Sequence, residues 1–549
     1  MIAAMKSPIL SCAIILTLAL GALNAVYADS ATWSTNPISN DWNTAGNWTP
    51  NTVPNGPDDV ATFGLSQQTN VFVSSSVEVN ELIFSPGASP FTINATDFLS
   101  LTISGIGITN NSGIAQNFVA KTSSGFSLTN NATAGDLTFF TLKGGHGNKN
   151  SGGFASFSDT ASAGNGTFVI EPPETPDANS GGLVSFGGNS SAGNGTFMVQ
   201  FASRLNFNGN SSAGNGTFIV EGGSVGFGLV STDVATAGNG LFIINSGGVN
   251  FIDGSSAGNA TLIANPGANG GAGGRISFSL NADDGGTARI ELFGNGTLDI
   301  SFIFGVSLPV GSIEGDGVVL LGTKKLITGS NDLSTFFSGT IQDSGDPRFP
   351  GSLQKIGNGT LTLSGQNTYT GDTTVEGGKL VISNQSGSGT GSGPVSVTRG
   401  KLGGTGIITG ATTIGTGSGT GAFLAPGGET RTGQVPLTIQ SALTFNADAT
   451  YTCTFKTQQN GHGTRAKVGM VIANGVTINS GAMIELIGNI TGALSQGFVL
   501  TLISNTSANP ITGTFSNLPD GSIVTINGNN FQVSYSGGDG NDLTLTVVP

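Results

Sequence analysis

From about residue 130 to residue 265 the chain is written in short bursts of alternation. Runs such as "TFVI" at 167–170, "TFMVQ" at 196–200 and "TFIVE" at 217–221 place an apolar residue at every second position. Small and polar residues separate them, and the separators repeat: "SAGNG" precedes all three runs, and "TAGNG" and "SAGNA" precede two more at 236–240 and 256–260. Alternation with period two predicts half-buried β-strands, and Gly, Asn and Ser between them predict tight turns. The same stretch has no helical spacing of apolar residues.

The alanine of this phrase falls at Ala163, Ala192, Ala213, Ala237 and Ala257, so successive units differ by 29, 21, 24 and 20 residues. A second phrase keeps step: "GGFASF", "GGLVSF", "SRLNF", "GGSVGF" and "SGGVNF" end at Phe157, Phe186, Phe207, Phe227 and Phe251. A strand-and-turn unit of this length indicates a solenoid. Leucine-rich repeats would need an L-x-x-L-x-L frame, which is missing, and propeller blades need about 40 residues each. The predicted class is all-β: a right-handed parallel β-helix with β-rich N- and C-terminal caps. In such a stack equivalent residues of successive coils lie roughly 4.8 Å apart. The five phenylalanines are therefore expected to form an internal ladder, and Gly and Asn to occupy the corners. The longer units predict protruding loops, above all "IEPPETPDANS" at 170–180.

Charge narrows the function. Only 9% of the 549 residues are charged and the net charge is −14, with 18 Lys plus Arg in all. Nucleic acid is not expected as a partner, because phosphate binding draws on clustered cations. Residues 1–28 have the form of an export signal, with Lys6, an apolar core and small residues before Asp29; an uncleaved anchor is the alternative. No transmembrane span is expected after its removal. Cleavage leaves one thiol, Cys453, alternating with Thr and Phe as a buried strand residue would. The expected location is extracellular or the outer cell surface, through the general secretory route, with the periplasm as a further option.

The segment "LQKIGNGTLTLSGQNTYTGDTTVEGGKLVI" at 353–382 resembles the autotransporter-associated β-strand repeat, also called the passenger-associated transport repeat. The resemblance is carried by Gly357, Gly359, Leu361, Leu363, Gly365, Asn367, Tyr369, Gly371, Val375, Gly378 and Leu380, and flanking text extends it over about 311–430. It implies a secreted or surface-displayed β-helical passenger. The residues after 430 show no series of ~10-residue strands with an apolar outer band and aromatic girdles. The resemblance is therefore expected to stop short of the translocator barrel. The start of the mature chain, 31–63, holds Trp33, Trp42 and Trp48 and is similar to the opening of many secreted β-repeat proteins of environmental bacteria.

The expected organisation is a signal at 1–28, a Trp-rich cap at 29–64, AGNGTF-type coils at 65–310, the repeat region at 311–430 with its core motif at 357–380, and a C-terminal end and cap at 431–549. Trp33, Trp42 and Trp48 are candidates for stacking on sugar rings, against a purely structural capping role. "GGDGNDLTLT" at 537–546 matches Gly537, Gly538, Gly540 and Asp542 of a calcium-binding nonapeptide, yet such a site is shared between stacked copies and one copy is present. Carboxylates for polysaccharide cleavage would come from Asp58 with Asp59, Asp283 and Asp284 with Arg289, or Asp343 with Asp346 and Arg348. Each pair lies in a Gly- or Pro-flanked turn, where Asp is ordinary. His146 and His462 stand alone in glycine-rich loops. The reading that results is a non-catalytic exported protein, adhesive or structural, needing no cofactor or metal, with extracellular glycans or surface components as partners. A carbohydrate-binding or polysaccharide-degrading β-helix is the alternative, and a passenger exported by a separate partner is a third form of the first reading.

Overall fold

The structure, a computed structural model, describes residues 29–549 except 148–150, 179, 229, 231, 283, 428–435 and 461–462; at 457–460, 463–465 and 489 only the backbone is described. The export signal at 1–28, Asp283 and His462 lie outside the described residues.

The chain is a parallel β-solenoid. Each coil of the aromatic stretch contributes two strands and a corner. One strand series runs through Thr138–Leu142, Thr167–Ile170, Thr196–Gln200 and the start of Thr217–Phe227. The other runs through Phe154–Phe157, Leu183–Phe186, Arg204–Phe207 and the end of Thr217–Phe227. Successive members pair in parallel and in register up to a bulge at Gln200, as in Phe168 with Phe197 with Phe218 and Phe157 with Phe186 with Phe207. The corner is a line of single-residue bridges, Thr133 to Ser162, Ser191, Ser212, Thr236, Ser256 and Asp284.

These pairings assign a task to every letter of the repeated phrase. The Ser or Thr makes the corner bridge, and its hydroxyl accepts the N–H two residues on, as in Gly193 N to Ser191 Oγ at 3.0 Å. The Ala is buried. The first Gly takes φ near +58° at Gly193, where a β-carbon would also meet the Gly164 carbonyl oxygen at 2.7 Å. The second Gly leaves room for a ring: a β-carbon on Gly216 would lie 2.8 Å from the Phe218 ring. The Phe then enters the core.

That core holds two aromatic columns. Phe157, Phe186, Phe207, Phe227, Phe251 and Phe278 stack with centroids 4.6 to 4.9 Å apart. Phe118, Phe140, Phe168, Phe197, Phe218 and Phe242 stack beside them at 4.4 to 5.1 Å. The columns meet edge to face at 5.8 to 5.9 Å, the arrangement the ring quadrupole favours.

The ladder passes without a break into the repeat region. Thr360–Leu363 pairs with Thr335–Phe337 on one side and Lys379–Ile382 on the other. Here the interior is aliphatic, with Leu361, Leu363, Val375, Leu380, Ile382 and Leu402 all buried. At the far end the chain turns antiparallel, with strands Val499–Asn505, Ile523–Ile526, Asn529–Gly537 and Asp542–Val548 forming a small sheet with parallel neighbours at one edge. Side-chain amides help close the outer edge of strand Met483–Asn489: Ile484 N donates to Asn517 Oδ1 at 2.9 Å, and Asn517 Nδ2 donates to Ile484 O at 2.7 Å. One asparagine thus stands in for a residue of a further strand, which guards an edge that would otherwise invite pairing.

Candidate functional surface

No helix among the described residues is long and apolar enough to cross a membrane, and no group of three His, Cys, Asp or Glu side chains among them could hold a metal ion.

Trp33, Trp42 and Trp48 are all buried. Trp48 packs edge-on against Trp33 at 5.1 Å and Trp42 at 4.9 Å, and all three touch Phe63. Their indole N–H groups donate inward, to the carbonyls of Gln68, Pro54 and Trp42. Phe63 stacks in turn on Phe84 at 5.3 Å. An aromatic plug of this kind covers the first coil and leaves the sugar-stacking expectation without a ring face to act through.

The repeat motif is built into the coil. Leu361, Leu363, Val375 and Leu380 point into the core, and Gly357, Gly359, Gly365, Gly371 and Gly378 pass close under the backbone of the preceding coil. At Gly365 a β-carbon would sit 1.9 Å from the Gly339 carbonyl oxygen, so only glycine fits. Asn367 is buried and ties three coils: its Oδ1 accepts from Ile341 N at 2.8 Å, its Nδ2 donates to Gly389 O at 2.7 Å, and its own N–H donates to Ser388 O. Tyr369 is buried, its hydroxyl 2.6 Å from Thr373 Oγ1, and burial pushes its pKa well up.

Of the carboxylates named for catalysis, Asp59, Asp284, Asp343 and Asp346 are engaged in holding turns, and Asp58 is exposed. Asp284 replaces the corner Ser, and its Oδ1 accepts Gly286 N at 2.8 Å. Asp59 accepts N–H groups of Asp29 and Asn55. Arg289 pairs with Glu291 and Glu314, and Arg348 with Asp346. Burial raises the Asp343 pKa, but N–H groups of Gly351, Thr370 and Gly345 and the Thr370 hydroxyl outweigh it and hold the carboxyl below its usual value. His146 Nδ1 lies 3.4 Å from Glu174, within two stacked insertions that Lys143 and Glu171 also pin at 2.8 Å. The predicted protrusion at 170–180 therefore rests on the insertion of the coil before it. Cys453 is buried and its thiol pKa is pushed up by that burial, so it has no reactive character. Gly537 to Asp542 is the turn between the last two antiparallel strands.

Two surface features were not foreseen. The first is an amide ladder built from the remaining letter of the repeated phrase. Asn194 Nδ2 donates to Asn165 Oδ1 at 3.0 Å, and Asn215, Asn239 and Asn259 continue the chain at 3.3, 3.1 and 3.2 Å. Asn165 donates to Asp136, and Thr287 donates to Asn259. All the dipoles point one way, toward the Asp136 carboxylate, which suits the donor end of an aligned column. A shallow groove of about 470 Å³ begins there, lined by Asn110, Thr133, Asp136, Ser162, Asn165 and Asn194 among others. The sequence signal was available: the asparagine recurs at one place in every unit, and residues in register must stack.

The second is a ribbon. Strands Ala449–Asn460 and Gly463–Val468 pair antiparallel beyond the solenoid wall, with Lys456 opposite Lys467 and Gln458 opposite Arg465.

Residues 353–382 match the family model of the passenger-associated transport repeat, and this segment is such a repeat, set within a parallel β-solenoid. The chain is also similar to the adhesin BmaC autotransporter of Brucella suis biovar 1 (strain 1330). It is 38% identical over 127 residues, 21% of this chain and 4% of that protein. The chain thus spans a small fraction of the curated relative it matches.

Proposed function

We propose that this protein is an exported, passenger-like β-solenoid acting outside the cell, adhesive or structural in role and without catalysis. The observation that carries the reading is the continuity of the passenger-associated transport repeat with the coils on both sides of it. A transport-associated unit is thus part of the rod. The partial likeness to an autotransporter adhesin supports contact with other surfaces as its work. An export signal at 1–28 is consistent with that place of action. The outer wall offers a long array of Asn, Thr and Ser hydrogen-bonding groups, suited to many weak contacts.

Expression of the full chain with and without residues 1–28 in a Gram-negative host tests export: the full chain should reach the medium or become protease-accessible on intact cells, and the truncated chain should stay inside. Beads coated with the chain from residue 29 onward should adhere to cell layers or matrix-coated plates above an albumin control. Failure to exceed that control would remove the adhesive reading.

A further inference from the structure

Cations are scarce in this chain, and their distribution is uneven. Through the body of the rod many are neutralised: Lys143 by Glu171, Arg275 by Asp299, Arg289 by Glu291 and Glu314, Lys325 by Asp372, and Arg348 by Asp346. Residues 377–484 differ. With the glutamates that flank them, Glu376 and Glu485, they hold seven of the 18 cations (Lys379, Arg399, Lys401, Arg431, Lys456, Arg465 and Lys467) against four carboxylates, Glu376, Glu429, Asp448 and Glu485, a net of +3 in a chain of net −14. Among the described residues of this segment no cation is in an ion pair. Asp448 is occupied by N–H groups of Thr416, Gly417 and Gly419.

The ribbon concentrates three of these charges. Side chains alternate across a strand, so Phe455, Ala466 and Val468 fall on one face and Lys456, Arg465 and Lys467 take positions on the other. Phe455, Ala466 and Val468 are buried, whereas Lys456 is exposed and Lys467 half-buried. The hydrophobic face accounts for the ribbon's attachment. The cationic positions receive no such account, because like charges directly opposite on paired strands are destabilising. On the wall strands that precede the ribbon strand, Lys379 and Lys401 sit in adjacent coils in direct register, another like pair, at the level of Thr450 and short of the ribbon pairing that begins at Phe455; Lys401 also lies over the Phe423 ring at 5.6 Å. A surface that carries unpaired charge at a stability cost is suited to a partner that supplies the opposite charge.

We infer that the Lys456, Arg465 and Lys467 face of the ribbon, with Lys379 and Lys401 farther along the same wall, binds an anionic polysaccharide, one bearing carboxylate or sulfate groups along an extended chain. The inference rests on the adhesive reading above and gives it a ligand class. An extended polyanion fits because positions 465 and 467 lie roughly 7 Å apart along one strand, with Lys456 across from the second. Their array is linear and forms no pocket for a small anion. Nucleic acid would further call for stacking aromatics, and none of the ribbon positions that alternate with Lys456 and Lys467 (458, 460, 463 and 465) is aromatic.

The test is retention of the chain from residue 29 onward on immobilised polygalacturonate and heparin, with dextran as the neutral control. Retention at 50 mM salt should be lost by about 0.5 M, as counterion release requires. Lys456→Gln, Arg465→Gln and Lys467→Gln together should weaken binding at least tenfold with circular dichroism and melting temperature unchanged. Lys379→Gln with Lys401→Gln should weaken it by a smaller factor, and serves as the independent probe if the triple variant does not fold. Equal retention on dextran, salt-insensitive retention, undiminished binding by both variants, or tighter binding of a DNA duplex than of either glycan would overturn the assignment. Adhesion of beads coated with the triple variant separates the two readings. Beads that still adhere would discard the ribbon and keep the adhesive role. A native chain that binds polygalacturonate without adhering would do the reverse.

Discussion

The coils from Ala163 to Ala257 and the coils around 353–382 share one fold and fill it differently. In the first region two columns of stacked phenylalanine rings fill the interior, and the polar work is done outside, by the corner hydroxyls and the asparagine ladder. In the second, smaller aliphatic residues leave space, and polar side chains enter it: Asn367, Tyr369 and Thr373 are buried and hydrogen-bonded to each other's coils or to neighbouring ones. A solenoid can therefore fix its register by ring stacking or by buried amides. The first is tolerant of what lies on the surface, and the second demands exact partners within.

That contrast can be tested by substitution, beginning with the largest effects. Phe207→Ala should cost about 3–5 kcal/mol, because the ring touches partners in both columns and leaves a cavity that rigid neighbours cannot close; chemical denaturation of the chain from residue 29 onward measures it. Asn367→Ala should cost about 2–4 kcal/mol for a much smaller side chain, since Ile341 N and Gly389 O both lose a buried partner. Hydrogen exchange should show the opening confined to the coils around 341 and 389. If Asn367→Ala were as mild as an ordinary surface change, the buried-amide account of the repeat would fail.

Gly216→Ala should cost about 1–3 kcal/mol by forcing a methyl group onto the Phe218 ring. Phe218→Leu added to it should relieve the clash, so the double variant should be less affected than the summed single effects. The chain itself contains this pair of changes: Ala260 replaces the glycine in the one copy of the phrase, "SAGNATL", whose inward residue is Leu262.

Acid should separate the regions next. Asp343 and Asp372 lie in or beside the repeat, and each is held below its ordinary pKa, as hydrogen bonds outweigh burial for both and Lys325 adds to the effect at Asp372. A lowered carboxylate pKa stabilises the fold above the unfolded value, near 3.8, and that contribution fades as pH falls through the folded value. Exchange at pH 3 should therefore rise around 343–372 before it rises around Phe207, and Asp343→Asn should blunt the difference. Asn215→Ala, on the exposed ladder, should shift stability by no more than about 0.5 kcal/mol.

The solenoid and the repeat were legible because both depend on recurrence, and recurrence survives in a one-dimensional string. "SAGNGTF" returns at coil spacing, and Gly357 to Leu380 follows a fixed pattern. The second Phe column was less visible only because its members hide inside the strand "TFIV". What stayed hidden depends on which coil faces which. Nothing in the string says that Trp48 turns its N–H onto the Trp42 carbonyl and so buries the cluster. A low overall count of cations likewise masked their concentration between 379 and 467, because composition averages over the surface that register later divides.

The single-residue corner bridges and two-strand walls also have a mechanical consequence. Each coil pairs its strands with the coil before it and the coil after it, so a pull on the two ends meets a row of links in series. Peeling one coil of 20 to 29 residues would release on the order of 70–100 Å of slack while the remaining rod stays folded. A tether with that construction yields in steps and lowers the load on whatever it holds, and stretching single molecules should show the steps as a sawtooth.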